Sequence, residues 1–114
     1  MFAPAVALGT ARWRHAIRRI DPGSRLRVRE LVDLDGFDGV TVVATLRREF
    51  WELRAAGRKS AVRPVDSQRR VAVPRGVRHQ LGLDGPVVVS LAADHTRIAV
   101  WPSARLDQLL DVRA

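Results

Sequence analysis

The sequence DSQRRVAVP (residues 66–74) determines the fold, and a copy of its pattern, DPGSRLRV (residues 21–28), occurs earlier in the chain without a gap. Each copy has an Asp, three turn-forming or polar residues and an Arg, followed by apolar residues at alternate positions. Asp is a favoured turn residue because its carboxylate bonds to nearby backbone N–H groups, and the alternation is typical of a half-buried strand. An internal repeat of this kind indicates one small supersecondary unit used twice.

Both copies predict the same order of elements: strand, turn, strand, short helix and hairpin. In the second copy the strands are residues 62–65, 70–73, 87–91 and 97–101, and a helix over residues 75–81 begins after Pro74 and ends at Gly82. In the first copy the strands are residues 16–20, 25–28, 40–45 and 49–53, with at most one helical turn over residues 29–34.

The domain organisation follows from these two copies. We predict an N-terminal arm (1–15), a first, degenerate repeat (16–53), a linker (54–61), a second repeat (62–101) and a C-terminal helix (102–114). Ser103 can cap this last helix, which would present Leu106, Leu109 and Leu110 on one side.

A unit of about 40 residues is too small to bury a full core alone. We therefore predict a mostly β fold with short helices, in which both repeats interleave around a pseudo-twofold axis in a small, mostly antiparallel barrel. The hairpin valines and Leu26, Val28, Val71 and Val73 would fill its interior. Trp51 and Trp101 would pack at the hairpin ends.

The composition argues against disulfide-bonded, zinc-thiolate and membrane-spanning proteins. The chain has 114 residues, 46% of them hydrophobic and 28% charged, and no cysteine. This excludes disulfides and thiolate zinc sites. No apolar run approaches the roughly 20 residues that span a bilayer, and the first ten residues lack the basic leader of a signal peptide. We expect a cytoplasmic protein that does not enter a membrane.

The formal net charge is +8, and the basic residues are concentrated around the leading half of each repeat. Residues 12–29 contain seven arginines and one aspartate, a net charge of +6. Residues 58–78 contain six arginines, one lysine and one aspartate, again +6. A basic surface that recurs in this way favours an anionic polymer, either DNA or RNA, as the partner.

The second copy resembles the AbrB/MazE/SpoVT swapped-hairpin superfamily, and within it is most similar to MraZ-type tandem-repeat regulators. The similar features are the two Asp-x-x-x-Arg motifs, which begin at Asp21 and Asp66, Pro74 before the helix, and Trp101 closing the second hairpin. The chain differs from the family where a Gly usually precedes the motif Arg, because Ser24 and Arg69 stand there. It also has Arg29 where the first helix would open with Pro.

The resemblance implies a sequence-specific DNA-binding transcriptional regulator, associated with the nucleoid and assembled as a homo-oligomer, either a dimer or a ring. The residues that would face double-stranded DNA are Arg18, Arg19, Arg25, Arg27, Arg63, Arg69, Arg70 and Arg75. Helical periodicity places Arg78 on the exposed basic side of the helix, so we add it to this set. Arginine suits this role because its planar fork binds phosphates and guanine edges at two points.

Other functions compatible with the sequence are an antitoxin-like module that binds a protein toxin and an RNA-binding or ribosome-associated protein. We expect no enzyme. Asp21 and Asp66 are interpreted as turn residues, each paired with the Arg four positions later. A two-aspartate catalytic site is not expected, because the adjacent Arg would keep each carboxylate ionised. His15, His79 and His95 lack the spacing of metal ligands. We therefore expect no metal site. No phosphate-binding loop or dinucleotide motif occurs, so we expect no cofactor either.

Overall fold

The computed structural model describes residues 13–57 and 61–105. Their strands are β1 (Trp13–Arg19), β2 (Arg25–Arg27), β3 (Thr41–Leu46), β4 (Trp51–Ala55), β5 (Arg63–Pro64), β6 (Arg70–Ala72), β7 (Pro86–Ala92) and β8 (Ile98–Pro102). Their helices are a 3₁₀ helix (Arg29–Asp33), α1 (Arg75–Leu81) and a second 3₁₀ helix (Ser103–Arg105). The mostly β fold and the predicted order of elements are confirmed in both halves, where the first half is residues 13–57 and the second is residues 61–105.

The two halves exchange strands. A six-stranded antiparallel sheet has the order β1-β7-β8-β4-β3-β5, and a separate two-stranded ribbon pairs β2 with β6. Apart from the hairpins β3–β4 and β7–β8, every strand pairing joins one half to the other. If β1–β4 are exchanged with β5–β8, the sheet order reads the same from its other end. The described strands thus form two antiparallel sheets, and their closure into one barrel stays a prediction.

The main core lies between the ribbon and one face of the six-stranded sheet. Leu26, Val28 and Val71 are fully buried and Val73 is 2% exposed, as the alternating pattern predicts. They pack in one cluster with residues from both hairpins, including Trp51. Trp101 is also buried, but it belongs to a second cluster, where its ring centroid lies 4.8 Å from that of Phe50. Both tryptophans are therefore packing residues.

Helix α1 has the predicted bounds because a proline precedes it and a glycine ends it. Pro74 precedes it with φ −60°, and Gly82 ends it with φ 67°, a left-handed conformation that glycine adopts without a Cβ clash. The first half has only the 3₁₀ helix Arg29–Asp33 at the equivalent place. None of the helices in the two described ranges is long and apolar enough to cross a membrane. Three predicted features lie outside the described residues: the N-terminal arm up to residue 12, part of the linker (58–60), and Leu106, Leu109 and Leu110 of the predicted C-terminal helix.

The turns that precede β2 and β6 have the same backbone geometry. Ser24 and Arg69 have φ values of 61° and 59°, and each donates its N–H to the carbonyl of the aspartate three positions earlier, at 2.9 and 3.0 Å. Their own carbonyls accept hydrogen bonds from the other half, from Val73 and Val28 respectively, both at 2.8 Å. Each turn is thus fixed to the opposite strand, in a conformation that explains why glycine suits this position.

We expect Arg69→Gly to raise the free energy of unfolding by about 1 kcal/mol, because glycine removes the Cβ clash of the left-handed conformation. The matched control is Ala72→Gly in the extended strand β6, which should lower that free energy by about 0.5–1 kcal/mol. Urea unfolding followed by circular dichroism measures both. A loss of stability in Arg69→Gly equal to that of the control would contradict the strain at this turn.

Candidate nucleic-acid interface

The outer face of the ribbon β2–β6 presents arginines. Its antiparallel register pairs Arg25 with Ala72, Leu26 with Val71, and Arg27 with Arg70. The middle pair is fully buried, so the residues on either side of it face outward. Three arginines and one alanine therefore occupy the four corners of a short, solvent-facing ribbon.

The aspartate of each motif binds the arginine four positions later. Asp21 and Asp66 each accept, through Oδ1, the backbone N–H of Arg25 and Arg70, both at 2.9 Å. In the second half the side chains also bond, with Nε of Arg70 donating to Oδ2 of Asp66 at 2.7 Å. The structure thus places both aspartates in turns next to their arginines, as the spacing predicts.

The two motifs are also cross-linked to each other. Nη1 of Arg25 lies 3.8 Å from Oδ2 of Asp66, and Nη1 of Arg70 lies 3.8 Å from Oδ2 of Asp21. Each carboxylate therefore faces both guanidinium groups in a four-membered charge cluster. Because these groups are partly solvated, each pair contributes little stability by itself. What the cluster supplies is a fixed position for Arg25 and Arg70, which occupy diagonal corners of the face.

The turn also shifts the pKa of Asp66. The backbone N–H of Arg70, with its guanidinium group and the N–H of Gln68, holds the pKa of Asp66 below its ordinary value, although partial desolvation acts in the opposite direction. Hydrogen bonds to the ionised form favour it. The carboxylate of Asp66 is therefore charged throughout the physiological pH range.

Two open grooves flank the ribbon, and each combines the short helix of one half with the turn of the other. The first groove, of about 500 Å³, is lined by Arg27, Arg29, Val32, Gln68 and Arg69. The second groove, of about 310 Å³, is lined by Ser24, Arg75, Arg78, His79 and Asp84. Each groove is lined by more arginines than acidic residues, so arginines lie on the ribbon and on both of its borders.

The arginines in these grooves differ in how firmly they are held. Nη2 of Arg27 donates to Oε1 of Gln68 at 2.7 Å, and Nη1 of Arg78 donates to Oγ of Ser24 at 2.8 Å. Arg29, Arg69 and Arg75 make no side-chain hydrogen bond or ion pair with any residue in the described ranges. Their charges are therefore not neutralised by those residues and can meet an incoming anion.

The structure brings six of the predicted arginines together around the ribbon: Arg25, Arg27, Arg69, Arg70, Arg75 and Arg78. The other three lie on the edge strands of the six-stranded sheet, with Arg18 and Arg19 on β1 and Arg63 on β5. Arg18 is half-buried and pairs with Glu30 at 2.8 Å. The prediction omitted Arg29, Val32 and Gln68, although Arg29 directly follows the motif in the basic segment.

A second charged cluster lies away from the ribbon. Glu52 on β4 is 2% exposed, and its carboxylate lies 3.0 Å from Arg47, 3.1 Å from Arg54 and 3.5 Å from Arg97. Burial alone would raise the pKa of Glu52, but the hydrogen bonds from Arg47 and Arg54 outweigh it and lower this pKa. These arginines therefore neutralise a buried carboxylate. Within residues 13–57 and 61–105, no group of His, Cys, Asp and Glu side chains could hold a metal ion.

Compared with known proteins, the sequence matches no family model and no curated protein. Its function is therefore inferred from the geometry of the ribbon, the charge around it and the resemblance carried by the motifs.

We expect the stability of the fold to depend on the charge of Asp66. Its lowered pKa means that the carboxylate stabilises the folded chain above pH 3.9 or so, the ordinary pKa of Asp, and that this contribution is lost as the pH falls through the folded-state value. The wild type should thus be more stable than Asp66→Asn at pH 7, and the difference should shrink on acidification below pH 4.

Urea unfolding of both proteins across pH 2–7 measures this difference in the free energy of unfolding. The matched control is Ser67→Ala, because Ser67 is a neighbouring exposed residue whose side chain does not titrate. Its free energy of unfolding should differ from that of the wild type by the same amount at every pH. A difference for Asp66→Asn that stays constant with pH would contradict a role for the carboxylate charge.

Proposed function

We propose that this chain is a DNA-binding transcriptional regulator of the AbrB/MraZ type, which grips duplex DNA through the ribbon β2–β6 and its two grooves. The observation that carries the proposal is the outward array of Arg25, Arg27 and Arg70 on a two-stranded ribbon. The major groove of B-DNA is wide enough to admit such a ribbon, and arginine is the commonest reader of guanine there.

The flanking grooves support the same assignment. Arg29, Arg69 and Arg75 border the ribbon and are not neutralised by described residues, so they suit the phosphates on either side of a DNA groove. The crossed Asp–Arg cluster holds Arg25 and Arg70 in place before DNA binds. A preordered surface loses less conformational freedom on binding.

Membership of the swapped-hairpin superfamily is part of the proposal. The strand exchange supports it, because the first strand of each half pairs with the hairpin of the other. The positive φ of Ser24 and Arg69 supports it too. These residues stand where proteins of that superfamily usually have glycine, the residue that adopts a positive φ most readily. We extend to this chain the regulator role, the cytoplasmic, nucleoid-associated location and the homo-oligomeric assembly of that class.

The ribbon favours DNA over double-stranded RNA, because the major groove of A-form RNA is too deep and narrow for side chains to read. Fluorescence polarisation tests this with three probes: the DNA upstream of the chain's own gene, a scrambled duplex and an RNA hairpin. We expect the upstream duplex to bind most tightly. Binding of the RNA alone would support the RNA-binding alternative, and no binding of any probe at low salt would leave the protein-binding alternative.

Salt dependence tests the contacts themselves. Replacing an arginine that meets a phosphate should reduce the slope of log K against log salt by about 0.9. We therefore expect Arg75→Ala to show a flatter slope than wild type. The matched control is Arg48→Ala, an exposed arginine between β3 and β4 in the six-stranded sheet, which should keep the wild-type slope. Equal slopes for the two variants would contradict the placement of DNA on the ribbon side.

A further inference from the structure

The ribbon face is not symmetric. When the halves are exchanged, Arg25 corresponds to Arg70, but Arg27 corresponds to Ala72. One cross-strand pair therefore carries two arginines, and the other carries one arginine and an alanine. A symmetric face would present the same groups to both halves of a palindromic site, as symmetric dimers do. This face presents different groups at its two ends.

The two grooves are asymmetric in the same sense. The first, beside the Arg27–Arg70 pair, is lined by three arginines and by Val32, which is 53% exposed, and it adjoins a cavity in which Val32 and Arg69 meet Asp38 and Asp66. The second, beside the Arg25–Ala72 pair, contains Asp84 with two arginines. One of these, Arg78, is already bonded to Ser24. The first groove is thus the only one of the two that has an exposed branched apolar side chain.

The first groove also carries the side chains best suited to reading bases. Arg27 and Gln68 form a bonded pair at 2.7 Å on the outer surface, which limits the rotamers of both. In the major groove arginine pairs with guanine, glutamine pairs with adenine, and an apolar side chain contacts the thymine methyl group. At the opposite corner Ala72 and Ser24 are too short for comparable contacts. That end is left with Arg25, whose guanidinium group faces Asp21 and Asp66, and with Arg75 and Arg78, which suit phosphates.

We propose that each chain reads a non-palindromic duplex element whose sequence information is concentrated in one half, and that Arg27, Gln68 and Val32 read this half. The inference rests on the proposed DNA-binding function. It assigns base reading to a groove built by both halves of the chain, with Arg27 and Val32 from the first and Gln68 from the second. The second groove then fixes the register of the protein on the duplex.

The test begins with the full chain and a library of random-sequence DNA duplexes, from which binding duplexes are selected. Fluorescence polarisation then compares the selected duplex with versions in which one half or the other is scrambled. We expect scrambling of one half to weaken binding by about fivefold or more, the effect of one good base contact. Scrambling of the other half should change affinity less than twofold.

Two variants test which end of the ribbon β2–β6 reads the bases. Arg27 is exposed and its one side-chain bond in the described residues is to Gln68, so Arg27→Ala should fold, as circular dichroism would check. Arg27→Ala should bind the selected duplex and the version with the informative half scrambled nearly equally. Arg75→Ala, the matched control, should weaken all duplexes by one common factor.

The outcomes separate this inference from the proposed function. The inference would be overturned, with DNA binding left in place, by equal losses on scrambling either half of the element bound by one chain. It would also be overturned if Arg27→Ala weakened binding of all duplexes by one common factor. The absence of duplex binding at low salt would overturn both.

Discussion

Neither half of this chain pairs its first strand with its own hairpin, and the rest of the structure depends on this exchange. β1 bonds to β7 along seven residues, and β5 bonds to β3. Strands left without these partners would expose unpaired backbone groups and apolar side chains to water. The ribbon depends on the same exchange, because each turn is bonded to the strand end of the other half. The halves therefore order together, through contacts between residues distant in sequence.

The second constraint is electrostatic. Arg27 and Arg70 lie directly opposite each other on the ribbon, and like charges in that position destabilise a strand pair. Asp21 and Asp66 offset this repulsion by facing the guanidinium group of Arg70, in turns that already use an aspartate to bind the backbone. The same two carboxylates thus shape the backbone and permit a dense positive surface. The arginines that the aspartates do not reach, among them Arg29 and Arg69, keep their charge for a partner.

The sequence predicted those elements whose signals are local. Pro74 and Gly82 defined α1, the alternation around Val71 defined the buried side of the ribbon, and the aspartates defined the turns. The pairing of strands is a long-range property, so the repeat indicated interleaving without giving the sheet order. Arg18 was grouped with the binding residues because its partner Glu30 is adjacent only in space. Buried Glu52 was missed for the same reason, since no local pattern reveals three converging arginines.

The covalent link between the halves has a consequence for how such a surface can change. In an assembly of two identical subunits, every substitution appears twice and the face keeps its twofold character. Here a substitution at Ala72 leaves its counterpart Arg27 untouched, although both occupy equivalent corners of one ribbon. Joining the two units in one polypeptide therefore lets each corner vary independently, while the exchanged strands continue to hold the shared scaffold together.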